Sequence, residues 1–139
     1  MLNNISIKVP RGKTLAVVGE SGSGKSTTAR VITGLSPPLE GKVTFNGKIL
    51  PATLKKRSKQ QLQSMHMIYQ MADTAMNPRH TVRDIIGRPL NFYLSLMGPA
   101  QDQRVMQLLQ LIELDESFLD RYPNELSGGQ KQRICIARA

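Results

Sequence analysis

The segment most informative about the fold is Gly19-Glu-Ser-Gly-Ser-Gly-Lys-Ser-Thr27. It fits the G-x-x-x-x-G-K-[ST] pattern of a phosphate-binding loop, in which glycines allow successive backbone N–H groups to turn toward an anion. The apolar run Leu15–Val18 before it predicts a buried strand, and Thr27–Thr33 after it predicts a helix. A phosphate group bound by the loop would therefore lie at a helix N-terminus, where unpaired N–H groups and the helix dipole favour an anion.

Two residues of this loop carry distinct chemistry. Lys25 supplies a mobile positive charge for the β- and γ-phosphates, and the Ser26 hydroxyl is placed to ligate Mg²⁺. The alternative is a glycine-rich turn that binds nothing, but all four fixed residues lie in a strand–loop–helix frame. The pattern therefore predicts a nucleoside triphosphate site. The expected ATP-binding residues are Gly19, Glu20, Ser21, Gly22, Ser23, Gly24, Lys25, Ser26 and Thr27.

A second informative stretch is Leu126-Ser-Gly-Gly-Gln130. Ser127 is a natural N-cap for the amphipathic segment Gln130–Arg138 that follows it. Gly128 and Gly129 fall in the first turn, where each costs about 1 kcal/mol relative to alanine. Bare backbone at a helix N-terminus is explained if a phosphate group approaches closely. The alternative is a capped surface helix with a flexible start.

Together these two motifs resemble the nucleotide-binding domain of ABC transporters. In that family the second motif of one subunit closes over the ATP held by the partner's phosphate loop. The resemblance therefore implies a head-to-tail dimer with a second ATP-binding subunit, either a copy of this chain or a paralogue. The residues expected to contact the partner's ATP are Leu126, Ser127, Gly128, Gly129 and Gln130.

A third family element lies between the two motifs. Met67-Ile-Tyr-Gln70 reads as a strand ending in glutamine, and Gln70 matches the glutamine of the family's Q-loop. The resemblance gives Lys25 and Gln70 catalytic roles, and it gives Ser26 and Gln70 the Mg²⁺ that accompanies ATP. The stretches 77–86 and 121–133 are similar to ATPase subunits of dipeptide, oligopeptide and nickel importers. Met71-Ala-Asp-Thr-Ala replaces the commoner Asp-Pro start of the Q-loop.

The expected fold is α/β: a partial P-loop NTPase core with an inserted α-helical subdomain. Residues 1–71 are assigned to the α/β core, 72–127 to the helical subdomain and 128–139 to a helix returning to the core. Strands are predicted at Leu2–Val9, Leu15–Val18 and Met65–Gln70, and Asn46-Gly47 predicts a hairpin between Lys42–Phe45 and Lys48–Leu50. A helical apolar stripe is predicted from Val105, Leu108, Leu109 and Ile112.

Hydrolysis in the family needs more than these motifs. The resemblance implies an apolar strand ending in Asp-Glu after the second motif, and a histidine further on. These 139 residues include neither, so they are expected to bind ATP without hydrolysing it. Two alternatives remain. One is a DNA-repair or chromosome-structuring ATPase, although the insert at residues 72–127 is too short for a long coiled coil and has no cysteine for a zinc module. The other is a vestigial nucleotide-binding module without turnover.

The charge and residue composition of the chain indicate which kinds of partner it can bind. The net charge is +9, but the basic residues are spread along the chain and only 4% of residues are aromatic. The cluster Lys55–Lys59 is therefore interpreted as a solvated face rather than a nucleic-acid site. Cys135 is predicted to be a buried apolar residue. No apolar run approaches the ~20 residues of a membrane span. The family implies transmembrane permease subunits, indirectly a solute-binding protein, and a location on the cytoplasmic face of the inner membrane.

Overall fold

A computed structural model describes residues 4–139, which form two compact units, residues 4–65 and residues 66–139. The first unit contains α1 (Lys25–Thr33), β1 (Thr44–Phe45), β2 (Lys48–Ile49) and α2 (Lys59–Gln63), with a 3₁₀ turn at Leu54–Lys56. The second contains α3 (Val82–Leu94), α4 (Gly98–Leu111) and α5 (Gly128–Arg138), with 3₁₀ turns at Ala72–Ala75, Glu116–Phe118 and Pro123–Glu125.

The hairpin predicted at Asn46-Gly47 is confirmed. β1 and β2 pair antiparallel, with Thr44 opposite Ile49. Asn46 and Gly47 have φ angles of 48° and 77°, as a two-residue hairpin turn requires at both central positions. The helix predicted after the phosphate loop is also confirmed as α1, which ends at Gly34 with a φ of 82°.

Three predicted strands are wrong. Residues 4–9, 15–18 and 65–70 pair with no other segment, and the one sheet among residues 4–139 is the two-stranded hairpin; Leu2 and Asn3 lie outside the described residues. Val17 is 51% exposed and Val18 is 89% exposed. An apolar run predicts that a segment will be buried, but a strand exists only where a second segment accepts and donates its backbone hydrogen bonds.

The second unit holds a helical core. The predicted stripe on α4 is confirmed, because Val105 and Leu109 are fully buried and Leu108 and Ile112 are partly buried against the same cluster. The largest fully buried side chains of this core come from α3, α4 and α5: Ile86, Leu109, Ile134, Val82 and Val105.

Helices α3 and α4 approach closely at Gly87. A Cβ atom added there would lie 3.1 Å from the Gln101 side chain, whose Nε2 donates to the Gly87 carbonyl at 2.8 Å and to the Leu96 carbonyl at 3.1 Å. A small residue on α3 and a long amide on α4 therefore set the spacing of the two helices.

Cys135 is buried in this core, at 2% exposure, as predicted. Burial raises the pKa of its thiol, because the apolar surroundings disfavour the thiolate. The thiolate is the reactive form of cysteine, so Cys135 acts as a small apolar side chain of α5.

Arg57 ties the first unit together. It is only 6% exposed, and its guanidinium donates to the Ile32 carbonyl at 2.9 Å, to the Pro51 carbonyl at 3.1 Å and to the Met65 sulfur at 3.6 Å. Burial lowers the pKa of the guanidinium, which nevertheless stays protonated because an arginine pKa starts far above neutral. One side chain thus joins the end of α1 to the segment after the hairpin.

We expect Arg57→Ala to lower the free energy of unfolding by about 2 kcal/mol, because the Ile32 and Pro51 carbonyls lose a charged donor. The exposed neighbour Lys56 is the control, and Lys56→Ala should change that free energy by less than about 0.5 kcal/mol. The measurement is urea unfolding followed by circular dichroism. Equal midpoints for the two variants would show that the buried guanidinium does not hold the first unit together.

Candidate nucleotide-binding site

The predicted phosphate loop runs directly into α1. Gly22 and Gly24 have φ angles of 84° and 94°, a region that side-chain-bearing residues rarely occupy, and Gly24 is the N-cap of the helix. No side chain caps α1, so the N–H groups of its first turn are not taken up by a side-chain oxygen. Glycine is a common N-cap residue, but unlike Ser, Thr, Asp or Asn it has no side-chain oxygen to accept from these N–H groups. It suits an external anion as the acceptor.

Lys25 lies at the centre of the loop. Its Nζ donates to the Gly19 carbonyl at 2.6 Å, to the Glu20 carbonyl at 2.7 Å and to the Ser23 Oγ at 3.3 Å. The backbone of the loop therefore curves around the ammonium group. A phosphate oxygen that reached this ammonium would also meet the N-terminus of α1, because Lys25 is the first residue of the helix.

Gly19 has a steric reason to be glycine. A Cβ atom added at this position would lie 2.8 Å from the Ser23 Oγ, closer than real Cβ contacts. The first fixed glycine of the motif thus allows the loop to close on itself.

Ser26 and Thr27 lie in the first turn of α1 and are exposed. A hydroxyl oxygen is a hard ligand of the type that Mg²⁺ takes alongside phosphate oxygens, so Ser26 fits the predicted metal role. The nine predicted ATP-binding residues, 19–27, thus form one continuous loop and helix start within the first unit.

The other predicted residues belong to the second unit. Gln70 is exposed and precedes the 3₁₀ turn Ala72–Ala75. The second motif begins α5: Leu126 is buried in the helical core, and Ser127, Gly128 and Gly129 are exposed. A Cβ atom added at either glycine would meet nothing within 4 Å. Packing within the described residues therefore does not require glycine at these positions, and the backbone is open to a ligand.

Ser127 caps α5, as predicted. Its Oγ accepts from the Gln130 N–H at 3.3 Å, and the Gln130 Oε1 accepts from the Ser127 N–H at 2.9 Å. This reciprocal pair is a capping box, whose signature of Ser followed three residues later by Gln was present in the sequence. Gln130 therefore has a structural role that was missed when it was considered only as a contact to ATP.

We expect Ser127→Ala to lower the free energy of unfolding by about 1 kcal/mol, because the first turn of α5 loses its cap. Ser127→Asn should restore most of this loss, since asparagine is an equally good N-cap. Thermal unfolding of the three proteins tests the prediction. If the asparagine variant were as unstable as the alanine variant, the serine would be stabilising the chain by some means other than the cap.

The structure also links α5 to the loop that follows Gln70. Lys131 Nζ lies 2.5 Å from Asp73 Oδ1, and Arg138 donates to the Ala75 carbonyl. These partners are about 60 residues apart in the chain, so no local pattern could have revealed the pairing. Asp73 belongs to the segment that departs from the commoner Q-loop sequence, and in this chain that segment anchors the helix of the second motif.

A glycine-rich phosphate loop that runs directly into a helix is typical of a P-loop NTPase domain. A family model described as ABC transporter matches residues 2–139, and the chain belongs to this family. The fold agrees. Over 86% of its length the chain matches 52% of one chain in the dimeric structure of a post-hydrolysis state of the ATP-binding cassette MJ0796 bound to ADP and Pi. The TM-score is 0.69 and the sequence identity is 31%. The predicted family and fold class are thereby confirmed.

Relatives of known name refine this placement. The chain is 41% identical over its full length to the nickel import ATP-binding protein NikE of Escherichia coli K12, and equally to that of Shigella boydii. It spans about half the length of these relatives, 52%. A further structural match is cbiO1 from Clostridium perfringens, part of the ABC transporter complex cbiONQ, with a TM-score of 0.68 over 87% of the chain and 47% of that structure. At 24% identity this match bears on the fold alone.

Proposed function

We propose that the chain binds Mg²⁺·ATP through residues 19–27. The observation that carries this proposal is the Lys25 ammonium inside the loop, at the N-terminus of a helix that no side chain caps. Loop amides and Lys25 would hold the β- and γ-phosphates, and Ser26 would hold the metal. Gln70 would be the second protein ligand of the metal and would position the attacking water.

The second motif would complete the site of another subunit. Gly128 and Gly129 present bare, exposed backbone at the capped N-terminus of α5, where a phosphate group can approach without steric hindrance. We propose a head-to-tail dimer in which residues 126–130 of each subunit contact the ATP of the other. The partner is a second copy or a paralogue.

A groove in the second unit is the proposed contact with a permease. It has a volume of about 470 Å³ and lies beside the loop that follows Gln70. Its lining combines basic and aromatic side chains with the amide of Asn77; the basic and aromatic residues are His80, Arg88, Phe92, Tyr93 and Arg138. No helix among residues 4–139 is long and apolar enough to cross a lipid bilayer. The proposed partners are transmembrane permease subunits and, through them, a solute-binding protein.

For the whole protein we propose an ATPase subunit of an importer, working on the cytoplasmic face of the inner membrane. The relatives at 41% identity are named for nickel import, and this name supports nickel, alongside small peptides, as a candidate solute. The two solutes are distinguished by measuring uptake of nickel and of a dipeptide in cells that lack the gene. The solute whose uptake is lost is the one that the importer carries.

The proposed site is tested by equilibrium titration of the 139-residue chain with ATP and with AMP, each with and without Mg²⁺. A phosphate loop recognises the β- and γ-phosphates, so ATP should bind much more tightly than AMP. Ser26→Ala should remove most of the gain in affinity that Mg²⁺ provides, while Thr33→Ala, at the other end of α1, should not. Equal affinities for ATP and AMP would refute a phosphate-directed site.

We expect a polypeptide of these 139 residues to bind ATP without hydrolysing it. Phosphoryl transfer depends on positioned charges, and the family resemblance assigns essential ones to an Asp-Glu pair at the end of a strand after the second motif. The 139 residues include no such pair after Gln130. Phosphate release measured with a coupled assay should equal the buffer background. Turnover that disappears on Lys25→Ala would contradict this expectation.

A further inference from the structure

Charge is divided unevenly between the two units. Residues 1–65 contain eleven Lys and Arg but only two Asp and Glu, a net charge of +9. Residues 66–139 contain eight of each and are neutral. The basic residues are spread along the chain, as the sequence suggested, but the acidic residues are not. The net charge of +9 therefore comes entirely from the first unit.

Within the first unit, residues 42–59 form a segment with six basic residues and no carboxylate, which we name the basic segment. The next acidic residue along the chain is Asp73. In the second unit, by contrast, carboxylates accompany the basic residues: Arg83 Nη1 lies 2.7 Å from Asp102 Oδ1, and this hydrogen bond raises the pKa of the guanidinium.

The basic segment is held in a defined shape. The buried Arg57 guanidinium binds the carbonyls of Ile32 and Pro51, and the Leu54 N–H donates to the Gly34 carbonyl at 3.0 Å. Arg57 thus turns inward, while the lysines of the segment are exposed on the 3₁₀ turn, on the hairpin and at the start of α2: Lys42, Lys48, Lys55, Lys56 and Lys59. The segment presents five ammonium groups on a supported backbone.

We propose that the basic segment binds the anionic lipid surface of a membrane. Clustered lysines are attracted to acidic headgroups without specific geometry, because the ammonium acts as a hydrated point charge. Two aliphatic side chains close to these lysines in the sequence are also exposed, Ile49 at 62% and Leu39 at 91%, and such side chains add apolar contact at a headgroup boundary.

Nucleic acid fits this segment less well. Recognition of bases and phosphates favours the planar, bidentate guanidinium, but the one arginine of the segment, Arg57, is buried. Binding of single strands relies on stacking against aromatic rings, and Phe45 is the only aromatic residue among residues 1–65. The charge and side-chain types together therefore favour lipid.

The size of the effect follows from the number of lysines. Each basic residue close to an anionic surface strengthens binding about fivefold. Lys55→Gln with Lys56→Gln should therefore weaken partitioning onto acidic vesicles about 25-fold. Raising the salt concentration should weaken it further, since the Debye length shortens. Both lysines are exposed and outside the phosphate loop, so the substitutions leave the proposed ATP site unchanged.

The test is co-sedimentation of the 139-residue chain, without nucleotide, with two kinds of vesicle at about 0.1 M salt. One kind contains phosphatidylcholine alone and the other contains about 30% phosphatidylserine. The matched control is Arg79→Gln with Arg104→Gln, two exposed basic residues of the second unit that change the net charge equally. We expect binding only to the acidic vesicles, a 25-fold loss for the lysine pair and a much smaller loss for the arginine pair.

Three outcomes would overturn the proposal. The first is no binding of the chain to acidic vesicles. The second is an equal loss of vesicle binding for the lysine pair and the arginine pair, because binding would then depend on net charge alone. The third is tighter binding to a DNA duplex than to the vesicles at the same salt concentration, which would identify nucleic acid as the partner. Because nucleotide is not used, failure here is distinguishable from failure of the proposed ATP site.

Discussion

Replacing Lys25 with alanine should weaken ATP binding by about a hundredfold, which corresponds to about 2.7 kcal/mol. Two effects contribute. The β- and γ-phosphates lose a charge-assisted donor, worth about 1.5–3 kcal/mol. The loop also loses the ammonium that joins the Gly19 and Glu20 carbonyls to the Ser23 hydroxyl, so it is less well ordered before ATP arrives.

Isothermal titration calorimetry with Mg²⁺·ATP measures this loss. Lys13→Ala is the control, because Lys13 is exposed in the turn before the loop and has the same charge. Circular dichroism should show both variants folded like the unmodified chain. If Lys25→Ala bound ATP with unchanged affinity, the loop would not be the nucleotide site, and the proposed function would fail with it.

Replacing Ile134 with alanine should lower the free energy of unfolding by about 3 kcal/mol, within the range for large-to-small changes in a core. Ile134 is fully buried on α5, among side chains contributed by α3 and α4. Its truncation removes apolar contacts and leaves a cavity that the surrounding helices fill only in part. A domain of this size is stable by only about 5–15 kcal/mol, so the loss is a large fraction of the total.

The matched control is two residues further along the same helix. Ile136 is 53% exposed, so Ile136→Ala makes the same chemical change with much less lost burial and should lower the free energy of unfolding by less than about 1 kcal/mol. Urea unfolding of both variants gives the comparison. Equal losses would mean that α5 does not pack through the face that bears Ile134.

Local patterns in the sequence predicted the features that local chemistry controls. The glycine positions of the phosphate loop, the Asn46-Gly47 turn and the Ser127 cap each depend on residues within a few positions of one another. The helical stripe of Val105 and Leu109 was likewise readable from its spacing. Family membership followed because two such motifs occur in the expected order, and the match over residues 2–139 confirms it.

The wrong predictions share a physical cause. Residues 15–18 have the composition of a buried strand, but strand formation needs a partner whose position the segment itself does not encode. The same holds for the contacts that were missed. Lys131 pairs with Asp73, and Arg57 with the Ile32 carbonyl, at sequence separations of 58 and 25 residues.

Short-range patterns in the sequence predicted the phosphate-loop motif, the Ser127 cap and the family, because these depend on side-chain type and short spacing. Tertiary structure alone decided which apolar segments found a strand partner and which charged side chains were buried or paired. It also decided which basic residues remained on the surface. Burial and pairing depend on groups distant in the chain, and only folding brings those groups together.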